Sequence, residues 1–170
     1  EFLLWLLYRS RTSSSDYQIT QDGPGLQKTG FIAYLDTRVL LETDTGEGIQ
    51  RVACTGPQAK FNEARTALVE GKQIAEAMIY LEQDEDLWRL SLKGEFFRFG
   101  SLKTPKVRIE RDAQTDEEDE RESVFYERMH LVESGLQMFD SLFQAFLYAR
   151  LSRKWKETLE EISAWCRKRR

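Results

Sequence analysis

Residues 72–103, KQIAEAMIYLEQDEDLWRLSLKGEFFRFGSLK, decide the fold. Within them Trp88, Leu90 and Leu92 alternate with Arg89, Ser91 and Lys93. A period of two sends successive side chains to opposite faces, so this run is a half-buried strand. Residues 72–83 make a strand of up to twelve residues before it, and Asp84-Glu85-Asp86 the turn between the two. Gly94 permits a tight turn into a third strand, EFFRF, with Phe97 and Phe99 on the core side and Phe96 and Arg98 on the other. The segment therefore predicts an antiparallel meander.

Upstream, TGPQAKFNEARTALVEGK predicts one helix. Thr55 and Gln58 have the spacing of a capping box, and Pro57 suits a first turn. Phe61, Ala64 and Leu68 recur at helical spacing, and Gly71 stands where a left-handed residue closes a helix. Before that, Phe31 to Leu35 and Arg38 to Thr43 are apolar or β-branched runs. TGEG at 45–48 joins the second run to IQRVACT as a hairpin. The opening EFLLWLLYRS is too short an apolar run to span a bilayer, which takes about 20 residues. It carries no recognisable leader pattern. It is expected to be the end of an amphipathic helix in a C-terminal piece of a longer protein, followed by a polar connection.

Downstream, residues 110–122 hold eight acidic and two basic side chains and no large apolar one, which predicts a solvated linker. Phe125, Met129, Val132, Leu136, Phe139, Phe143 and Phe146 then step by three or four, the mark of a long amphipathic helix. A last helix from about Ser152 places Trp155, Leu159, Ile162 and Trp165 on one face. The expectation is an α+β chain: a small antiparallel sheet with one packed helix, then a long C-terminal helical hairpin. Its segments run 1–30 (helix end and connection), 31–109 (α+β domain), 110–123 (acidic linker) and 124–170 (hairpin).

Ten Phe and four Trp in 170 residues supply a core, and a net charge of −4 opposes a globally basic nucleic-acid binder. Local basic patches remain open, because charges further apart than a Debye length of about 8–10 Å scarcely feel one another. Cys54 and Cys166 make no disulfide framework or metal spacing, and His130 is the one histidine. The contiguous acids Asp116 to Glu120 lack the converging geometry of a two-metal site. No triad, phosphate loop or dinucleotide fingerprint is present. Cys166, one position after Trp165, is expected to be a buried or half-buried thiol with nothing near it to mark a nucleophile, although the RKRR beside it pulls toward a lower pKa.

Two basic clusters remain as candidates for phosphate contacts. Lys93, Arg98, Lys103, Lys106, Arg108 and Arg111 form the first, with Arg89 just upstream. The final helix is the second, with seven basic residues against three glutamates, ending in Arg167, Lys168, Arg169 and Arg170. Basic strand edges also discourage edge-to-edge pairing, so composition leaves both roles open.

From RVACT at 51–55 through the helix closing on Glu70-Gly71-Lys72, the long strand, the aromatic-bearing strand and Gly100, Leu102 and Lys103, the chain resembles the C-terminal part of the RdgC family of bacterial recombination-associated proteins. The terminal helix rich in Leu and Phe and the opening EFLLWLLYRS extend the likeness over nearly the whole chain. The resemblance implies a non-enzymatic α+β protein that binds duplex DNA without sequence preference and restrains the strand-exchange recombinase. It also implies homodimers, a cytoplasmic nucleoid location and no cofactor. Carried onto this chain, Lys72, Lys93 and Lys103 fall within matching segments, while Arg98, Lys106 and Arg108 are local additions. The family lends no catalytic motif, although some members are labelled exonucleases. A protein-protein interaction or oligomerisation module with no DNA contact of its own is the alternative, because the apolar face of the long helix is broad for a small sheet to cover; a nuclease, with no residue constellation behind it, is the third and least favoured reading.

Overall fold

The structure, a computed structural model, describes residues 1–12, 18–22, 28–55, 61–108 and 117–168. Its elements are α1 (Phe2–Thr12), β1 (Gln18–Asp22), β2 (Lys28–Asp44), β3 (Ile49–Thr55), α2 (Phe61–Val69), β4 (Gln73–Gln83), β5 (Asp86–Lys93), β6 (Arg98–Lys103), α3 (Glu117–Leu151) and α4 (Trp155–Arg167). The expected class holds: this is an α+β chain whose antiparallel sheet is followed by two packed C-terminal helices.

The sheet has six strands in the order β1-β2-β4-β5-β6, with β3 also on β2. One edge of the 17-residue β2 is shared by β1, opposite Lys28 to Ile32, and by β3, opposite Arg38 to Asp44. The other edge carries β4. The two apolar runs expected around Thr37 are thus one strand with an irregularity between Leu35 and Val39. Such an irregularity loosens the ladder and frees backbone groups. The Leu35 carbonyl accepts a bond from the Arg11 guanidinium at 2.8 Å.

Alternation decides which face is covered. Leu35 and Val39 of β2, Ile79 and Leu81 of β4, and Leu90 and Leu92 of β5 are all buried in one cluster with residues from all four helices. Here α1 is central: Leu6 and Leu7 are wholly buried, each worth about 1.5–3 kcal/mol of transfer energy. Its apolar run lies inside the molecule rather than along a surface. Phe2 meets Phe139, Phe143 and Phe146 of α3 at 5.9, 5.6 and 5.4 Å between ring centres. Every described helix packs on this face, and no described helix lies over the other.

Local signals explain the joints. Gly71 takes φ 89°, and the amides of Gly71 and Lys72 bond the carbonyls of Leu68 and Ala67, so α2 closes as its glycine predicts. Thr55 is the last residue of β3, opposite Arg38, and α2 is described from Phe61. The proposed partners Pro57 and Gln58 lie outside the described residues. β1 falls where a polar connection was expected. Glu117 to Glu120, expected in a linker, form the first turn of α3, where carboxylates favour the positive end of the helix dipole.

Between β5 and β6 the expectation of a strand from Glu95 also gives way. Residues 94–97 form a turn, and Phe97 sits in the left-handed region at φ 51°, which costs about 1–3 kcal/mol. Its ring is held by Phe143 at 4.6 Å, with Phe2 and Phe139 close by. Phe99 meets Phe139 at 4.9 Å, edge to face. Both rings therefore turn toward α3, Phe99 by strand alternation and Phe97 from the turn, and each stays partly exposed.

Candidate nucleic-acid interface

The basic residues of β5 and β6 project from the face that no described helix covers. Because Trp88, Leu90 and Leu92 point into the core, Arg89, Ser91 and Lys93 must point the other way. The register continues this across the edge: Arg89 stands opposite Lys103, Ser91 opposite Ser101 and Lys93 opposite Arg98. A register shift after Ser91 absorbs Gly100 as an extra residue, which keeps Arg98 on the same face as Lys103. At about 3.3 Å per residue and 4.8 Å between strands, the four cations mark the corners of a patch about 13 Å by 5 Å.

Each pair is like against like. Directly opposed like charges on a sheet destabilise it, where an opposite pair would contribute about 0.2–1 kcal/mol. Two such pairs stand side by side on one edge hairpin, and all four residues are exposed. Compensation from neighbours is partial. Glu76 lies opposite Lys93 on β4, but it also accepts the Ser91 hydroxyl at 3.2 Å. Arg89 leans over the Tyr80 ring, 5.6 Å from its centre, and Tyr80 stacks on Tyr34 at 5.3 Å with the planes 15° apart. The Tyr34 hydroxyl donates to Glu82 at 3.3 Å. A row Tyr34–Tyr80–Arg89–Lys103 thus crosses four strands.

The remaining candidate cations lie elsewhere. Lys72 is engaged at the α2–β4 corner: its ammonium is 2.7 Å from Glu70, and only 12% of its side chain is accessible. Arg108 returns to the β4–β5 turn, 3.0 Å from Asp86 and 3.7 Å from Glu85. Lys106 is exposed on the segment after β6. Arg167 and Lys168 are exposed at the end of α4, in the helical layer. There Arg65 of α2 covers the Trp165 ring and donates to the carbonyls of Trp165 and Lys168. Arg111, Arg169 and Arg170 lie outside the described residues. The structure therefore joins Lys93, Arg98 and Lys103 with Arg89, which sequence reading had set beside the cluster. It separates them from Lys72, Arg108, Arg167 and Lys168.

What the patch offers chemically is fixed positive charge and N–H donors. Cys166 is half-buried, as expected. Burial raises its pKa, and the Arg65 guanidinium offsets this only in part. Among the described residues no three His, Cys, Asp or Glu side chains gather as a metal site, and no helix is long and apolar enough to cross a membrane. Comparison with family models, with curated proteins and with solved structures finds no match to this chain.

Proposed function

We propose that this chain is a non-enzymatic module that binds duplex DNA without sequence preference, through the open sheet face at β5 and β6. The observation that carries the reading is the doubled like-charge pairing of Arg89 with Lys103 and Lys93 with Arg98. A fold that places four cations against one another on an uncovered face is electrostatically completed by a polyanion. Each phosphate so neutralised releases condensed counterions, a favourable term indifferent to base sequence. The tyrosines add to this view. Tyr34 and Arg89 flank the Tyr80 ring, which positions the guanidinium rather than offering a free platform for a base.

The resemblance to RdgC proteins supplies the wider setting of the proposal. In it the chain belongs to a cytoplasmic, nucleoid-associated protein that acts as a homodimer and restrains the strand-exchange recombinase by occupying DNA. Lys93, Arg98 and Lys103 are then the phosphate contacts, with Arg89 beside them and Lys106 at the margin.

A fluorescence-anisotropy titration with two unrelated duplexes, repeated over a range of salt, tests the reading. Four contacts predict a slope of log affinity on log salt near −3.6, at about −0.9 per phosphate, and equal affinity for both sequences. Replacing Lys93, Arg98 and Lys103 together by Gln should remove most of that slope. Undetectable binding at low salt, or a slope unchanged in the triple variant, would refute it.

A further inference from the structure

The helical side of the molecule carries a surface of opposite sign to the cationic face. Residues 117–140 of α3 hold eight acids against two bases, Arg121 and Arg128. Through this stretch runs an apolar line, Phe125, Met129, Val132 and Leu136, spaced 4-3-4. All four are exposed, Phe125 by 58% and Met129 by 54%. Steps averaging 3.5 residues form the seam by which one helix packs against another. The sheet-facing side of α3 is a different line, Leu131, Gly135, Met138 and Leu142, all buried, so the exposed line takes no part in the core. A contiguous apolar strip rimmed by polar residues marks an interaction site, where single exposed residues do not.

The rim is charged on one margin by acids alone. At about 100° per residue, Glu122, Glu133 and Asp140 fall within about 20° of one another, beside the apolar line. The Glu133 carboxylate accepts the Gln137 amide at 3.2 Å, and the Asp140 carboxylate accepts that of Gln144 at 2.8 Å. Among the described residues no cation pairs with any of the three. Arg121 and Arg128 stand on the other margin, and Arg121 is 3.7 Å from Glu117.

We infer that this stripe seats a basic amphipathic helix of another protein. Helix spacing on one side calls for helix spacing on the other, because anchors at i, i+4, i+7 and i+11 interlock with a partner that repeats them. From Phe125 to Leu136 the seat is about 16 Å long, which takes about three turns of the partner. Charge decides among the occupants. A duplex, an anionic bilayer and a second α3 would each bring negative charge to a stretch that already holds a surplus of six acids, and like charges brought together cost binding energy. A helix with lysines or arginines along one flank instead meets Glu122, Glu133 and Asp140 while its apolar side covers Phe125, Met129 and Leu136. The molecule then has two faces of opposite sign, with the phosphate contacts on the sheet and the protein contact on α3.

Fluorescence anisotropy with a labelled synthetic peptide tests this seat. The probe is a helix of about four turns, with leucines spaced 4-3-4 and lysines along one flank. It should bind the chain, and a scrambled peptide of the same composition should not. Met129→Ser with Leu136→Ser should weaken the complex about tenfold or more. The circular dichroism spectrum should stay as in wild type, because both positions are exposed. Glu122→Gln, Glu133→Gln and Asp140→Asn together should weaken the complex at low salt and flatten its salt dependence. Replacing Lys93, Arg98 and Lys103 by Gln should leave peptide binding unchanged. The two serines should leave duplex binding unchanged, so failure here is distinguishable from failure of the DNA reading. Equal binding of the scrambled peptide, full binding by the two-serine variant, or no binding of the probe would overturn the proposal. So would a dimer of the chain in sedimentation equilibrium that the two serines dissociate and the probe does not, since the stripe would then belong to a second copy.

Discussion

Arg89 and Lys103 face each other across β5 and β6, on the side of the sheet that no described helix covers. Two cations in direct cross-strand register oppose the pairing of the strands that carry them. Tyr80 holds the guanidinium from the other side. This arrangement separates what is good for the fold from what is good for a polyanionic ligand.

Lys103→Gln is therefore expected to act in opposite senses. Removing one charge of the pair should stabilise the fold by a few tenths of a kcal/mol, up to about 1. The same change should weaken duplex binding and take about 0.9 from the salt slope. Chemical denaturation and anisotropy on one preparation read both effects. A loss of stability together with unaltered binding would show that the pair serves packing alone.

Lys72→Gln and Arg108→Gln provide the contrast. Lys72 is tied to Glu70, and Arg108 to Asp86 and Glu85. The salt slope of DNA binding should be the same in these variants as in wild type. Arg108 is a surface ion-pair residue, so its loss should cost no more than about 1 kcal/mol. A drop in slope for either would extend the interface beyond β5 and β6.

Gly135→Ala tests how closely α3 lies on the sheet. A methyl at Gly135 would stand 2.7 Å from Cδ1 of Trp88, whose indole N–H donates to the Leu131 carbonyl at 2.7 Å. Alanine favours helix by about 1 kcal/mol over glycine, while overpacking costs about 1–3 kcal/mol. Overpacking should win, giving a net destabilisation of up to about 2 kcal/mol in urea melts. Stabilisation by the alanine would mean that Trp88 can yield.

Stability should decline in alkali. Burial raises the pKa of Cys54, with Glu63 adding to it, and burial raises that of Cys166 against Arg65. Burial and the bond to Glu161 raise Tyr8 as well. Above the ordinary thiol value of about 8.5 the unfolded chain gives up protons that the folded chain retains, so unfolding gains with rising pH. The stability is complete below that value and is lost as pH climbs toward the raised folded values. Thermal melts from pH 8 to 10.5 should show a falling midpoint, with a shallower fall in Cys166→Ser. A flat profile would contradict the burial of these groups.

The meander was legible because Trp88, Leu90 and Leu92 alternate with polar residues, and the end of α2 because Gly71 marks it. Other elements left no such trace. β1 reads QITQD, with one apolar residue, and is a strand by its pairing with β2 rather than by pattern. The acidic start of α3 looked like a linker because no apolar residue breaks it, although acids in a first turn are themselves a helix signal. The cation patch was half visible. Alternation put Arg89 and Lys93 on one face, but the register that sets them against Lys103 and Arg98 depends on the shift at Gly100. Nothing local foretold that Tyr34 would reach Tyr80, or that Lys72 and Arg108 would be taken up by acids.

The placement of α1 has a consequence for how the chain reaches its native state. Its Glu1 pairs with Arg150 at 2.8 Å and its Tyr8 bonds Glu161 at 3.1 Å, across 149 and 153 residues of sequence. The most apolar helix is thus finished only by the last two helices, through contacts of the longest range. Such contacts slow folding, and until they form the unburied segment invites aggregation. During synthesis Phe2, Trp5, Leu6 and Leu7 therefore wait for α3 and α4 to be made before their cover is complete.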